Sequence, residues 1–428
     1  MNKPRFVISC PFDTYSGYGA RSRDIIKAII ESDKYNVQLL AQKWGETSWG
    51  FCKDHKEWEF LYNHIAPQDW QSIQPEIWMQ ITIPNEFMPI GKYNIGLTAG
   101  IEASTCKPEW IDGLNRMDIN LVSSKFAKRV FETTTYEKKD KRTDKPVGVL
   151  KSEKPIHVVF EGADLNVYKP VKTIKNIKLD NIKEDFCFLF VGHWMNGDFG
   201  HDRKNVSLLV KSFYESFKNK KKKPALILKS SVGVASYMSR EEILKRIKSI
   251  RKTVNSKNLP NIYLLNGEFD DVEMNELYNH PKVKTMVSLT KGEGFGRPLL
   301  EFSLTGKPII ASNWSGHTDF LNEEFVSLLP GKLENVHESA ANNWLIKEAS
   351  WFAPDHSAIG TTFRDNYKNY KNYTKLSQKQ KYYARKNFSW EKMKELVNGI
   401  LDKNIPSMPL PVQLNLPSIS IPKLEKLS

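Results

Sequence analysis

The sequence predicts an α/β protein built from two Rossmann-like, doubly wound domains that face each other across a cleft. Short apolar runs of buried-strand type alternate with helical periodicity along the chain, the pattern of open parallel sheets. At 428 residues the chain is long enough to bury two full cores. A lysine-rich stretch, Lys169–Asp185 (KPVKTIKNIKLDNIKED), separates one run of this pattern from the next and reads as a linker.

In the first half the expected strands are Arg5–Cys10, Val37–Ala41, Glu76–Ile81, Asn94–Thr98, Ile119–Val122 and His157–Phe160, with helices at Ser22–Glu31 and Lys125–Thr133. In the second half the strands are Cys187–Val191, Ala225–Lys229, Asn261–Leu265, Lys284–Leu289 and Pro308–Ala311, with helices at Val206–Lys218 and Arg240–Asn255. The expected domains are 1–175 and 176–387. Asn404–Ser428 carries five prolines and no glycine, so it reads as a tail.

Bulk properties narrow the class. No run of about 18 apolar residues exists, so no transmembrane helix is expected. The N-terminus, MNKPRFVISC, enters a strand-like run without a secretory pattern. Cys10, Cys52, Cys106 and Cys187 lie far apart without metal-ligand spacing, which suits reduced thiols in a cytoplasm. The net charge of +14 suits a polyanionic partner, nucleic acid or an anionic membrane surface, and equally suits general solubility.

The chemistry concentrates in Lys291–Thr305 (KGEGFGRPLLEFSLT), which follows the apolar run Thr285–Leu289. Strand, glycine loop and helix succeed one another, and Pro298 can open the helix, where its missing N–H costs nothing. Such a loop presents backbone N–H groups to an anion. Glu293 and Glu301 bracket it, which suits a nucleotide-sugar with hydroxyls at both ends and a diphosphate between; a plain strand-to-helix turn explains the same residues without a ligand. Gly192 ends the first strand of the second half, and Arg203–Lys204 stand at the start of the helix after it, a clamp for a diphosphate at the carboxyl edge of a sheet.

With the following Lys307–Ser312 (KPIIAS) and Asn313–Asp319 (NWSGHTD), the stretch Leu264–Phe320 resembles the donor-binding half of family-4-type retaining glycosyltransferases of the GT-B fold; a bacteriophage enzyme that modifies DNA is one member it could be. That family's Glu-x7-Glu signature is intact as Glu293 and Glu301. The resemblance implies that Glu293 holds sugar hydroxyls, Glu301 the ribose, and Lys204, helped by Arg203, the leaving diphosphate. Gly294, Phe295 and Gly296 would line the donor. His193 stands where the family often has arginine, and Asp319, where it usually has glutamate, is expected to be structural. Ser16–Arg23 (SGYGARSR) resembles the family's N-terminal glycine loop, with Gly17 and Gly19 approaching the donor; Arg21 and Arg23 either face the cleft or decorate the helix.

Glu102, in Gly100–Thr105 (GIEAST), either positions or deprotonates the acceptor hydroxyl, or is a structural carboxylate. The family also sends its last helix, here Trp390–Leu401 within 388–403, back onto the first domain. No metal or cofactor is implied, because such enzymes lack the Asp-x-Asp site; Phe269-Asp270-Asp271 reads as a helix cap. The nucleotide-sugar is a co-substrate, a UDP-sugar by frequency.

Three features bear on the acceptor. Lys138–Lys154 is a charge-rich segment read as a mobile loop. Trp44–Phe60 interleaves Trp44, Trp49, Phe51 and Trp58 with polar residues. Gln413–Pro417 (QLNLP) is similar to the peptide that docks bacterial replication proteins on the sliding clamp. Together they suggest a hydroxymethylated base in duplex DNA as acceptor. A cell-surface glycan or lipid-linked acceptor is the alternative, and a non-catalytic nucleotide-sugar or DNA-binding module a second one.

Overall fold

Runs such as Ile77–Ile81 (IWMQI), with every residue buried, carry no charge and cannot tolerate solvent on either face, so they pair as central parallel strands. The computed structural model describes residues 3–140 and 142–408. The chain begins with β1 (Arg5–Cys10), α1 (Gly17–Ile30), β2 (Asn36–Ala41), α2 (Phe51–Asp54), β3 (Ile77–Ile81), β4 (Tyr93–Thr98), α3 (Pro108–Asn115), β5 (Ile119–Val122) and α4 (Lys125–Thr133). The hairpin β6 (Tyr136–Lys139) and β7 (Pro146–Leu150) and then β8 (Ile156–Val158) follow. Six of these strands form a parallel sheet in the order β2-β1-β3-β4-β5-β8.

The second half contributes β9 (Cys187–Val191), α5 (Val206–Phe217), β10 (Ala225–Lys229), α6 (Tyr237–Lys252), β11 (Ile262–Leu265), α7 (Asp271–Asn279), β12 (Val283–Ser288), α8 (Arg297–Ser303), β13 (Ile309–Ser312) and β14 (Ser327–Leu329). Its sheet is parallel in the order β11-β10-β9-β12-β13-β14. The hairpin β15 (Gly331–Asn335) and β16 (Ser350–Pro354) precedes α9 (His356–Lys368), α10 (Tyr370–Asn387) and α11 (Trp390–Asn404).

In each sheet the strand order reverses once, between β1 and β3 and between β9 and β12. Open α/β sheets bind ligands in the crevice outside the carboxyl ends of strands at such reversals. Two of them facing one cleft place the site before any side chain is considered.

The last helix crosses back. Trp390, Met393, Val397 and Leu401 form one stripe of α11 and join the core of the first sheet. Ser389 caps it, its hydroxyl accepting from the Lys392 N–H. All four cysteines are buried and free, and burial pushes the Cys10 thiol up to about 12. Among the described residues no helix is long and apolar enough to cross a membrane. Residues 413–417, the clamp-like peptide, lie outside the described residues.

Two segments depart from expectation. Residues 138–154, read as a mobile loop, lie partly in the antiparallel hairpin β6–β7. Their high charge hides a strand pair whose side chains are largely exposed. Residues 169–185, read as a linker, pack on the second domain: Ile177, Leu179 and Ile182 enter its core. The Glu276 carboxylate of α7 accepts from the backbone N–H groups of Lys175, Asn176 and Ile177. The chain already contributes Ala163 and Tyr168 to that core.

Burial raises the Glu276 carboxyl, but the three N–H bonds outweigh it and hold the group below the ordinary glutamate value. Glu276→Ala leaves those donors without an acceptor and should cost about 1–3 kcal/mol in urea unfolding. A lowered folded value stabilises above the unfolded one, near 4.3. The wild-type advantage over Glu276→Ala should therefore be full at neutral pH and shrink as pH falls through the folded value.

Candidate active site in the interdomain cleft

The loop between β12 and α8 reaches across to the segment after β4 with almost no space between backbones. A Cβ on Gly292 would lie 2.2 Å from the Glu102 carbonyl oxygen, and one on Gly294 2.7 Å from that of Ala99. Ser123 spans the same junction, its hydroxyl 3.1 Å from both the Ala99 and the Gly294 carbonyl oxygens. Gly296, at φ +98, holds the left-handed residue that turns the chain into α8. Gly292 and Gly294 serve close approach between domains as much as access to a ligand.

Behind the loop sits an ionic cluster. The Lys204 ammonium lies 2.5 and 2.7 Å from the two Glu293 oxygens. The Arg203 guanidinium donates to the Gly292 carbonyl at 3.0 Å and lies 3.2 Å from the Glu102 carboxylate of the other domain. Burial lowers the Lys204 ammonium, with Glu293 partly offsetting it. Burial raises the Glu293 carboxyl, but Lys204 and Arg203 outweigh it and hold it below its usual range. Asp202 fixes the turn that presents both cations, its carboxylate accepting from the Val206 N–H at 3.0 Å and the Ser207 hydroxyl at 2.9 Å.

The cluster opens onto a cavity of about 630 Å³ with walls from both domains, within the size range of small-ligand sites. Glu102, Arg203, Lys204, Glu293, Gly294, Phe295, Gly296 and Gly17 all line it, as does His193, whose Nδ1 lies 2.9 Å from the Ser231 hydroxyl. Burial lowers the His193 imidazole, which favours the neutral ring. Trp44 stacks on Tyr18 at 3.8 Å, and both face the cavity.

Three expected site residues stand off this wall. Gly19 is a packing glycine, its Cβ position 2.3 Å from the Thr14 carbonyl oxygen. Gly192 holds a φ of +152 at the end of β9. Both oxygens of Glu301 are occupied: one accepts from the Arg297 Nε at 3.0 Å, the other from the Tyr278 hydroxyl at 3.2 Å. Arg297 in turn reaches Asp24 of α1 at 2.5 Å, tying the two domains together. Burial, opposed by Arg297, pushes the Glu301 carboxyl up to about 7.

Other expected residues find structural places. Arg21 donates to the Phe160 carbonyl at 2.8 Å and to that of Val159, yet still faces the cavity. Arg23 donates to the Phe12 and Thr14 carbonyls and lies 3.4 Å over the Phe51 ring. Asp319 accepts from the Lys125 N–H at 2.7 Å, at the start of α4 in the other domain. Asp270 forms a capping box with Glu273 on α7. Sequence reasoning missed Glu161, a carboxylate on the cavity wall just past β8. Its place beyond the carboxyl end of a strand was the available signal.

No family model and no curated protein matches the sequence. Solved structures do match in shape. The Anabaena protein HepE in complex with UDP-glucose superposes with a TM-score of 0.63 at 13% identity, covering 94% of this chain and 100% of that one. A glycosyltransferase from Rickettsia africae gives 0.62 at 13% identity over 95% and 100%. Sucrose-phosphate synthase from Thermosynechococcus elongatus gives 0.59 at 13% over 94% and 99%. The fold is GT-B, two parallel six-stranded sheets with flanking helices.

If the glycine junction sets the closed arrangement, a methyl group there should wedge it open. Gly292→Ala should increase the radius of gyration in solution scattering and cost about 1–3 kcal/mol. Gly294→Ala, with more room, should do less of both. An unchanged scattering curve for Gly292→Ala would refute the close contact.

Proposed function

We propose that this protein is a retaining, metal-independent glycosyltransferase that moves a sugar from a nucleoside diphosphate, UDP by default, to an acceptor hydroxyl. The Lys204–Glu293 pair carries the reading. Two largely buried opposite charges satisfy each other on the cavity wall, and a phosphorylated sugar can satisfy both separately. The diphosphate takes Lys204 and Arg203, and the freed Glu293 carboxylate accepts from sugar hydroxyls. The solved GT-B neighbours, including one holding UDP-glucose, support a nucleotide-sugar donor in this fold.

As the bond from the anomeric carbon to the phosphate oxygen breaks, negative charge grows on the diphosphate, where Lys204 and Arg203 stabilise it in a water-poor site. The acceptor oxygen bonds the same face of that carbon, and its proton passes to the departing phosphate. No wall residue needs to act as a covalent nucleophile. Glu102, through Arg203, closes the clamp from the acceptor domain only when the domains meet.

We further propose a hydroxymethylated base in DNA as the acceptor. The support is the excess charge of +14 and the helix α10, which carries six cations and no carboxylate. Beside α10 runs a groove of about 600 Å³ lined by Phe325, Lys379, Tyr382, Tyr383 and Lys386, where rings and cations alternate as a nucleic-acid strand requires. The rival acceptor, a glycan, has its own support in the Trp44–Tyr18 stack on the cavity wall, since such faces also hold sugar rings.

Glu293→Ala should abolish UDP-glucose turnover while the protein stays folded, and Lys204→Ala should cut it by about 10²–10³-fold. Near-normal rates in either variant would remove the pair from the reaction. If DNA is the acceptor, binding of hydroxymethylcytosine duplex in a gel shift should weaken steeply with salt, because phosphate contacts release counterions. A flat salt profile would favour the glycan.

A further inference from the structure

We infer that Glu161 holds hydroxyls of the donor sugar, closing the sugar between the two domains opposite Glu293. This assignment rests on the donor site proposed above. Glu161 lies just past β8, on the wall of the cavity that Glu293 and Lys204 also line. Burial raises its carboxyl, opposed by the charges of Arg21 and Arg297, and no hydrogen bond contributes.

The nearby cations make their hydrogen bonds elsewhere, and the Arg21 Nε makes none among the described residues. Arg21 spends its terminal nitrogens on the Phe160 and Val159 carbonyls, and Arg297 is held by Asp24 and Glu301. Among the described residues, then, the Glu161 oxygens feel positive charge but accept from no donor. Half-buried on the cavity wall, a carboxylate that accepts from no protein donor keeps its lone pairs for a ligand that supplies one.

A further anion would be repelled by Glu161, and Glu293 already bears on it with like charge. A second cation would duplicate Arg21 and Arg297. Neutral hydroxyls fit best: they donate to a carboxylate and add no charge. Lys204 and Arg203 mark where the diphosphate goes, so the hydroxyls near Glu161 and Glu293 belong to the sugar.

The backbone next to Glu161 is also held in place. A Cβ on Gly162 would lie 2.6 Å from both the Ser389 carbonyl oxygen and the Trp390 Cα. Ala163 donates to the Phe388 carbonyl at 3.0 Å and accepts from the Trp390 N–H at 2.8 Å. The backbone that carries Glu161 is thus anchored where the chain crosses between domains, which limits the freedom lost on binding.

The test is titration calorimetry of wild type, Glu161→Gln and Glu161→Ala with UDP and with UDP-glucose. UDP lacks the sugar, so its affinity should stay within about twofold in both variants. UDP-glucose should bind roughly tenfold to a hundredfold more weakly, the range for losing hydrogen bonds to a charged group. The near-isosteric Gln variant keeps the experiment readable should the Ala variant misfold. Equal losses for both ligands, or no loss for either, would overturn the role of Glu161. Wild type that binds neither probe would remove the UDP-sugar donor site itself, and this assignment with it.

Discussion

Two largely buried ions of opposite charge, Lys204 and Glu293, stand where the two domains meet. Removing such charges from water costs several kcal/mol each, and their attraction recovers that only with good geometry. Contacts of 2.5 and 2.7 Å supply the geometry. A stable core would be built as well from apolar residues, so the pair makes physical sense chiefly as a site whose partners can be exchanged. The strand reversals bring it to the mouth of both sheets, and Asp202 sets the turn that presents Lys204.

Closure of the cleft is written in the same terms. Arg203 meets Glu102, Arg297 meets Asp24, and the Lys125 N–H meets Asp319, each contact joining one domain to the other. Between them Gly292 and Gly294 let backbones touch where any side chain would hold them apart. The polar contacts are directional and the glycine junction is steric, so the closed arrangement is specified twice. The proposed diphosphate site therefore shares Arg203 with a contact that joins the two domains.

The sheets were legible because their strands are apolar throughout. Ile119–Val122, Cys187–Val191 and Ala225–Lys229 form as the sequence predicts, each buried along its length or nearly so. Helix α4 is equally plain, with Ser124 as its cap. The glycine loop with Glu293 and the Arg203–Lys204 pair were legible because residue type and position after a strand suffice to mark them. What escaped depended on partners far along the chain. Glu301 is turned from the cavity wall by Tyr278 and by an arginine that answers to Asp24 in the other domain. Residues 169–185 look like a solvated linker until Glu276 collects their N–H groups. Glu161 has no motif of its own, only a place.

On the proposed function, the Lys204–Glu293 pair opens to receive a nucleoside diphosphate sugar. A crystal structure of the protein soaked with UDP-glucose tests it most directly. The account predicts the diphosphate within hydrogen-bonding distance of Lys204 and Arg203, with the glucose hydroxyls on the freed Glu293 carboxylate. Nucleotide bound elsewhere, or bound in the cavity with the Lys204–Glu293 contact still intact, would contradict it.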